Sequence, residues 1–409
     1  MAARQSQYAP ESSVGWLDHS VRDAERMREL LSAFADPQSI DNLGVGVVRD
    51  LISEQLFPGI STIQTRARYF FFVPWICQQL EERRVAPADF PRRYRAKELE
   101  LIERLLAAGE SDGVIGRRAR RNVKRLAIDV YWGGLGRYRI RLIGGAISDY
   151  QHSLTSLYRR RDDDRDDEGN ALGEVVSAWD RALPPAPPDF PDGVDLSLTA
   201  DEATYLITQI RRTCPGTLLA ELAGRDTAPL KGTHVWDLPR SWIPDGQAEL
   251  VRHAKLFAIG VQPVRATYNL LLARQTGDGA REVEDGALRE IDRYRDQRQR
   301  YGAELDEWVA HLDAFWEVVD GAGTITGAHR ERLERLLLRV HHHADVIESD
   351  RELHELIVTT ERALKGRLAR LSSPRARAAW SGRPFGVGLL DYRWRPSRRI
   401  LADIAAGVD

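Results

Sequence analysis

Leu256-Phe257-Ala258-Ile259-Gly260-Val261-Gln262-Pro263-Val264-Arg265-Ala266-Thr267-Tyr268-Asn269-Leu270-Leu271-Leu272 is the stretch on which the fold turns. It lies within a longer run, Gln247 to Arg274. There Val251, Ala254, Leu256, Phe257, Ile259, Val264, Tyr268, Leu271 and Leu272 ring the helix instead of striping one side. A helix that is apolar most of the way round must be buried most of the way round. The run predicts a central helix, kinked at Pro263 and wrapped by others.

The wrapping helices are legible on either side. Thr199 caps a helix over 201–212, with Glu202 as its capping-box partner. The segments 284–319, 329–342 and 349–371 carry amphipathic stripes with opposite charges at helical spacing. Towards the N-terminus, helices are expected over 20–35, 43–56, 92–108 and 148–158. Another is expected over 62–82, capped by Ser61 or Thr62 and kinked at Pro74. A basic helix follows at 117–128, then a glycine-rich turn over Tyr131-Trp132-Gly133-Gly134-Leu135-Gly136. Residues 137–142 alternate and are compatible with a strand or a wing. The fold class is therefore mainly α and multi-helical, with at most a small β element near 137–142.

Composition narrows the class further. The chain has 409 residues, of which 43% are hydrophobic and 29% charged, and its net charge is −2. These are the values of a soluble globular protein with no global nucleic-acid signature. No apolar run is long enough to span a bilayer, and a secretory pattern is lacking, so a cytoplasmic location and no membrane partner are expected. Two cysteines, Cys77 and Cys214, cannot build a disulfide framework or a zinc cluster, and each reads as a small core residue. Lysine stands only at 97, 124, 231, 255 and 365, with arginine supplying the remaining basic residues. Acidic residues crowd 162–168, and Pro184-Pro185-Ala186-Pro187-Pro188 follows. Together they predict a linker over 161–195, between an N-terminal helical domain over 1–160 and a C-terminal one over 196–409.

Several motifs have plainer explanations than chemistry. His253-Ala254-Lys255 has the histidine–lysine spacing of phospholipase D-like nucleases, but Gly260 stands where that chemistry needs an acid. His341-His342-His343 with Asp350 and His354 does not converge on one ion, because successive residues of a helix point about 100° apart. The glycine groups at 44–46 and 133–136 lack the strand, helix and trailing lysine of a phosphate loop. No metal and no cofactor are expected.

Three groups of residues stand out as candidate sites. Phe57 to Trp75 contains a dense aromatic run just after Gln64, Arg66 and Arg68, so these three are either a buried polar network or a ligand cradle. Arg117, Arg118, Arg120, Arg121, Lys124 and Arg125 form a basic cluster with Tyr131, Trp132 and Tyr138 close behind. That is a combination suited to phosphates and bases. Arg393, Arg395, Arg398 and Arg399 form a second cluster. Tyr392 and Trp394 are expected to pack, leaving these arginines outside, while Ile400, Leu401 and Ile404 give the last helix an apolar face.

Several stretches taken together resemble a bacterial domain-of-unknown-function family. They are Gly15-Trp16-Leu17-Asp18, Gly44-Val45-Gly46-Val47-Val48-Arg49-Asp50, and Phe57-Pro58-Gly59 with the run Ser61 to Phe70. Ile115-Gly116-Arg117-Arg118, Tyr131-Trp132 and Leu390-Asp391-Tyr392-Arg393-Trp394 complete the likeness. The resemblance covers nearly the whole chain. It implies gene neighbourhoods with helicases and nucleases, hence antiphage defence, and it assigns no catalytic residue. The expectation is a non-catalytic subunit or adaptor of a defence complex, with nucleic acid (DNA before RNA) or a helicase or nuclease as partner. The rival expectation is an enzyme built around Gln64, Arg66 and Arg68.

Overall fold

The computed structural model describes residues 42–163, 177–226 and 232–408. Among them are 14 α-helices and no β-strand. In chain order they are α1 Val45–Leu56, α2 Tyr69–Glu82, α3 Phe90–Ala107, α4 Ala127–Arg137, α5 Ile147–Asp163, α6 Ala200–Thr213 and α7 Leu218–Leu222. Then come α8 Asp245–Thr276, α9 Arg281–Ala310, α10 Leu312–Asp320, α11 Gly327–His342, α12 Arg351–Lys365, α13 Pro374–Ala378 and α14 Trp394–Val408. The protein is mainly α, as the sequence predicts. The helix expected over 20–35 lies outside the described residues.

The long apolar run is α8, a 32-residue helix whose middle is buried on all sides. Helices α1, α9, α11 and α12 pack around it. The 284–319 segment is broken in two. Tyr301 has non-helical backbone angles inside α9, and His311 separates α9 from α10. The capping box at Thr199 forms as expected, with the Glu202 amide donating to Thr199 Oγ1 at 3.2 Å and the Thr199 amide to Glu202 Oε2 at 3.0 Å.

A second packing centre surrounds α2. Phe70, Phe71, Phe72 and Trp75 are wholly buried. Phe70 meets Tyr131 edge-on at 5.0 Å, Phe71 meets Tyr205 of α6, and Phe72 stacks on Phe190 at 5.9 Å. Such pairs add roughly 0.5–1.5 kcal/mol each beyond their area. One hydrophobic core runs from Leu43 to Ile404, so the halves drawn on either side of 161–195 share it. The proline-rich stretch is packed against α2, because Trp75 Nε1 donates to the Pro184 carbonyl at 2.8 Å and Gln79 to that of Phe190 at 3.2 Å.

Two local expectations are corrected. Helix α2 begins at Tyr69 and not near Thr62, because tertiary acceptors claim the preceding amides. Thr65 and Arg66 donate to the Tyr131 hydroxyl at 2.9 and 3.1 Å, and Ala67 donates to Asp403 Oδ2 at 2.8 Å. The glycine-rich turn at 131–136 is instead the body of α4. A Cβ on Gly134 would stand 2.6 Å from the Gly59 carbonyl oxygen, so glycine is there for close helix packing, not for bending. Near 137–142 the extended pairing among the described residues is an isolated antiparallel bridge between Arg141 and Trp179, in keeping with the sequence's expectation of at most a small β element there.

Candidate nucleic-acid interface

Gln64, Arg66 and Arg68 are gathered in the loop before α2, and the fold pairs both arginines internally. Arg66 Nε bonds both Asp403 oxygens at 2.9 Å. Burial works against its charge, but the Asp403 hydrogen bond together with the charges of Asp403, Glu110 and Asp112 outweighs that and holds the guanidinium above its ordinary pKa. Arg68 is 6% exposed and lies between Asp195, at 2.7 Å, and the buried Glu202, at 3.2 Å. Gln64 Nε2 donates to the Gly59 carbonyl at 3.1 Å, and its Oε1 is buried without a partner. These residues tie the 59–68 loop to α4, α6 and α14. The partners of the two arginines are carboxylates distant in sequence, and nothing in the chain marks them in advance as partners of these arginines.

The basic cluster at 117–125 is not a helix. Turns lead through Gly116 into a single 3₁₀ turn, Arg120–Asn122, and α4 starts only at Ala127. Gly116 has φ +80°, and a Cβ there would meet Ile102 Cδ1 at 2.9 Å, so the chain must turn tightly against α3 at this point. Val114 and Val123 are buried on either side of the turn. Arg95 of α3 donates to the Arg121 carbonyl at 2.8 Å, which fixes the loop from below. Opening the helix into a pinned loop leaves all six basic side chains exposed. Arg120 pairs with Glu103 at 2.9 Å. Arg117, Arg118, Arg121, Lys124 and Arg125 have no ion-pair partner among the described residues.

The aromatics expected to assist them do not. Tyr131 and Tyr138 are fully buried, and Trp132 is covered by the Arg141 guanidinium at 4.4 Å from its ring. The Tyr131 hydroxyl is committed to the Arg66 carbonyl at 2.8 Å and the Tyr138 hydroxyl to that of Pro58 at 3.0 Å. The loop therefore offers charge without stacking.

The C-terminal cluster is turned inward more than its sequence implies. Tyr392 and Trp394 are buried as expected, and Ile400, Leu401 and Ile404 seat α14 in the core. That seating draws the arginines onto acceptors. Arg393 reaches Glu54 at 3.1 Å and the Ile60 carbonyl at 2.7 Å. Arg398 donates to the Gly232 carbonyl at 3.2 Å, and Arg399 pairs with Asp112. Only Arg395 of the four is fully exposed. The expectation that all four project is corrected by this docking.

The remaining motifs are structural. His253 is buried in α8, and its Nδ1 accepts from Trp308 Nε1 at 3.0 Å, while burial holds its pKa below that of an ordinary imidazole. Lys255 pairs with Glu304 and lies 3.7 Å over the Tyr301 ring. Asp350 caps α12 and is gripped by Arg339. Among the described residues no group of three or more His, Cys, Asp or Glu is placed to hold a metal ion. Cys77 and Cys214 are free and buried. No described helix is long and apolar enough to cross a membrane.

The likeness carried by Gly44 to Asp50, the 57–70 stretch and Leu390 to Trp394 extends along the chain. Residues 11–407 match a family of unknown function, DUF6361. The chain belongs to this family. No curated protein and no solved structure matches it. The DUF6361 match spans both arginine clusters and the polar loop, so all three belong to the family's region of the chain.

Proposed function

We propose that this DUF6361 protein is a non-catalytic nucleic-acid-binding subunit or adaptor that holds phosphates on its 117–125 loop. The observation that carries the reading is the exposure of six basic side chains on one pinned loop, five of them without an ion-pair partner among the described residues. An arginine already bound to a carboxylate must give that up to meet a phosphate. An unpaired one releases only counterions and water. The buried aromatics leave the loop without a stacking platform, so binding tracks the backbone and discriminates little between sequences.

The enzymatic alternative draws no support from the geometry of Gln64, Arg66 and Arg68, since both arginines are committed to carboxylates of the fold. The proposed setting, an antiphage complex with a helicase or nuclease partner and DNA as the nucleic acid, rests on the family resemblance and on the loop's affinity for phosphate.

The test is binding of the full chain to duplex DNA, single-stranded DNA and RNA by fluorescence anisotropy at several salt concentrations. Four or five phosphate contacts predict affinity falling by roughly 10²–10³-fold between about 50 and 200 mM salt. Absence of binding to all three at low salt overturns the proposal. Purification of the native protein with its bound material tests the setting, and recovery with neither nucleic acid nor a nucleic-acid enzyme contradicts it.

A further inference from the structure

Between Arg362 and Leu390 the chain carries seven basic residues and no acidic one, although acidic residues outnumber basic ones over the whole chain, 61 to 59. The segment runs from the last turn of α12 through α13 to the glycine-rich loop at 382–388. Arg362, Arg367, Arg375 and Arg383 are exposed, and Arg370 and Arg377 are half-buried. None of these six has an ion-pair partner among the described residues. The acid just before the segment, Glu361, is withdrawn into the core. It is fully buried and accepts from the Tyr268 hydroxyl at 2.7 Å and from the Arg370 and Leu371 amides at 2.8 and 2.9 Å.

The arginines share one surface because the segment folds back on itself. Arg362 Nε and Nη2 donate to Ser372 Oγ at 3.3 and 3.2 Å. Arg377 donates to the Arg370 carbonyl at 2.9 Å. The Arg370 guanidinium lies 4.8 Å over the Phe385 ring, which stacks on Trp380 at 6.5 Å, and Trp380 Nε1 donates to the Arg383 carbonyl at 2.7 Å. Asn269 of α8 fixes this end by accepting from the Phe385 amide and donating to the Phe385 carbonyl, both at 2.8 Å. The groups that hold these side chains are all neutral: a hydroxyl, a carbonyl, an aromatic face and the side-chain amides of Asn42 and Gln275. A neutral acceptor orients a guanidinium without cancelling its charge.

We infer that the 362–383 surface is a second contact for the phosphodiester backbone of a nucleic acid. The inference rests on the reading of the chain as a nucleic-acid binder, and not on the 117–125 loop as the place of binding. A run of cations uninterrupted by carboxylates fits a ligand that repeats one negative charge per nucleotide. A folded protein partner presents both signs, and its cations would find no carboxylate here. An anionic membrane would attract the same cations, but holding to its surface takes an apolar face as well. Helix α13 is Pro-Arg-Ala-Arg-Ala, with no large apolar side chain, and the exposed Leu368 and Val387 stand on opposite sides of it in sequence. Trp380 packs against Ala273, Ala280 and Val283, and Phe385 lies under Arg370, so the contact is with the backbone and not with the bases.

The experiment is fluorescence anisotropy of the full chain with duplex DNA, single-stranded DNA and RNA across a salt series. The parent is compared with a variant carrying Arg367→Gln, Arg375→Gln and Arg383→Gln together. These side chains are exposed, so Tm should not change. At about 0.9 units per phosphate contact on a duplex, the variant should flatten the slope of log affinity against log salt by about 2–3 units. It should also weaken binding at least tenfold at about 0.1 M salt. Arg367→Lys, Arg375→Lys and Arg383→Lys together should keep the parent's slope, because each contact is one charge. If the glutamine triple fails to fold, the three single variants read the same contacts one at a time. A parent-like slope in the glutamine variants overturns the inference and leaves the 117–125 reading standing. A slope flattened here and unaltered by variants of the 117–125 loop supports the inference and overturns that reading. No binding of the parent to any of the three nucleic acids overturns both. Vesicles containing phosphatidylserine are titrated in parallel, and tighter binding to them than to nucleic acid at the same salt, lost in the glutamine triple, would assign the surface to a membrane and overturn the inference.

Discussion

The loop at 117–125 and the tail at 393–399 read alike as sequence, each being a knot of arginines beside aromatic residues. In the folded protein they part company. The tail opens α14, whose Ile400, Leu401 and Ile404 are fully buried, and that seating lowers Arg393, Arg398 and Arg399 onto Glu54, a backbone carbonyl and Asp112. The loop is anchored by Val114, Val123, a tight turn at Gly116 and the Arg95 hydrogen bond to the Arg121 carbonyl, and its acidic partner among the described residues is Glu103. Its arginines stay in water. The availability of a basic cluster thus depends less on its own residues than on how deeply the adjoining apolar residues are seated, and on which carboxylates wait where they land.

Removing the tail gives the largest expected effect. A chain ending before Arg395 loses the burial of Ile400, Leu401 and Ile404, about 1.5–3 kcal/mol each. It also loses the Asp403 partner of Arg66. The sum approaches the roughly 5–15 kcal/mol that holds a whole domain together. Circular dichroism should show an unfolded or insoluble product. A folded truncated chain would make the tail as dispensable as a surface loop and break the contrast.

Next is Arg68→Ala, which leaves the buried carboxylate of Glu202, 3% exposed, without its cationic partner. Breaking a buried pair from one side costs about 3–5 kcal/mol. Urea denaturation measures it, and a loss below about 1 kcal/mol would mean that the pair adds no more than a surface ion pair does.

A smaller, pH-dependent effect belongs to Glu98, which lies beneath the loop and accepts the Ala127 amide where the loop enters α4. Burial pushes its carboxyl from 4.5 up to about 7, against the pull of that amide. The folded protein then keeps a proton that the unfolded chain releases. The stability it contributes is complete below about pH 4.5 and is lost as pH rises towards about 7. Glu98→Gln should flatten that part of the stability profile. A variant whose stability declines in parallel with the parent between about pH 5 and 7 would show that Glu98 titrates normally.

Much of the helical frame was legible, because its signals are local. The all-round apolarity of α8, the Thr199–Glu202 box and the stripes of α11 and α12 depend on neighbours a few residues away. The failures share one physical cause. Helix α2 starts late because Tyr131 and Asp403 take its amides, and the glycines of α4 serve contact with Gly59 rather than a turn. The 117–125 helix does not form because Gly116 must pass Ile102. Each is decided by a residue distant in sequence. The candidate site suffers equally, since the chain names its arginines but not the carboxylates that neutralise some and spare others.

Neutralising arginines on the two clusters gives the smallest change in stability and the sharpest test. Arg117→Gln, Arg118→Gln and Arg121→Gln together should leave the unfolding midpoint nearly unchanged, each within about 0.5 kcal/mol, as exposed substitutions do. The decisive measurement is the slope of log affinity against log salt for duplex DNA, compared among the parent, this loop triple and the triple Arg395→Gln, Arg398→Gln, Arg399→Gln. At about 0.9 units per phosphate contact, the loop triple should flatten the slope by about 2–3 units while the tail triple leaves it unchanged. A slope unaltered by the loop triple, or flattened instead by the tail triple, would contradict the assignment of phosphate binding to the 117–125 loop.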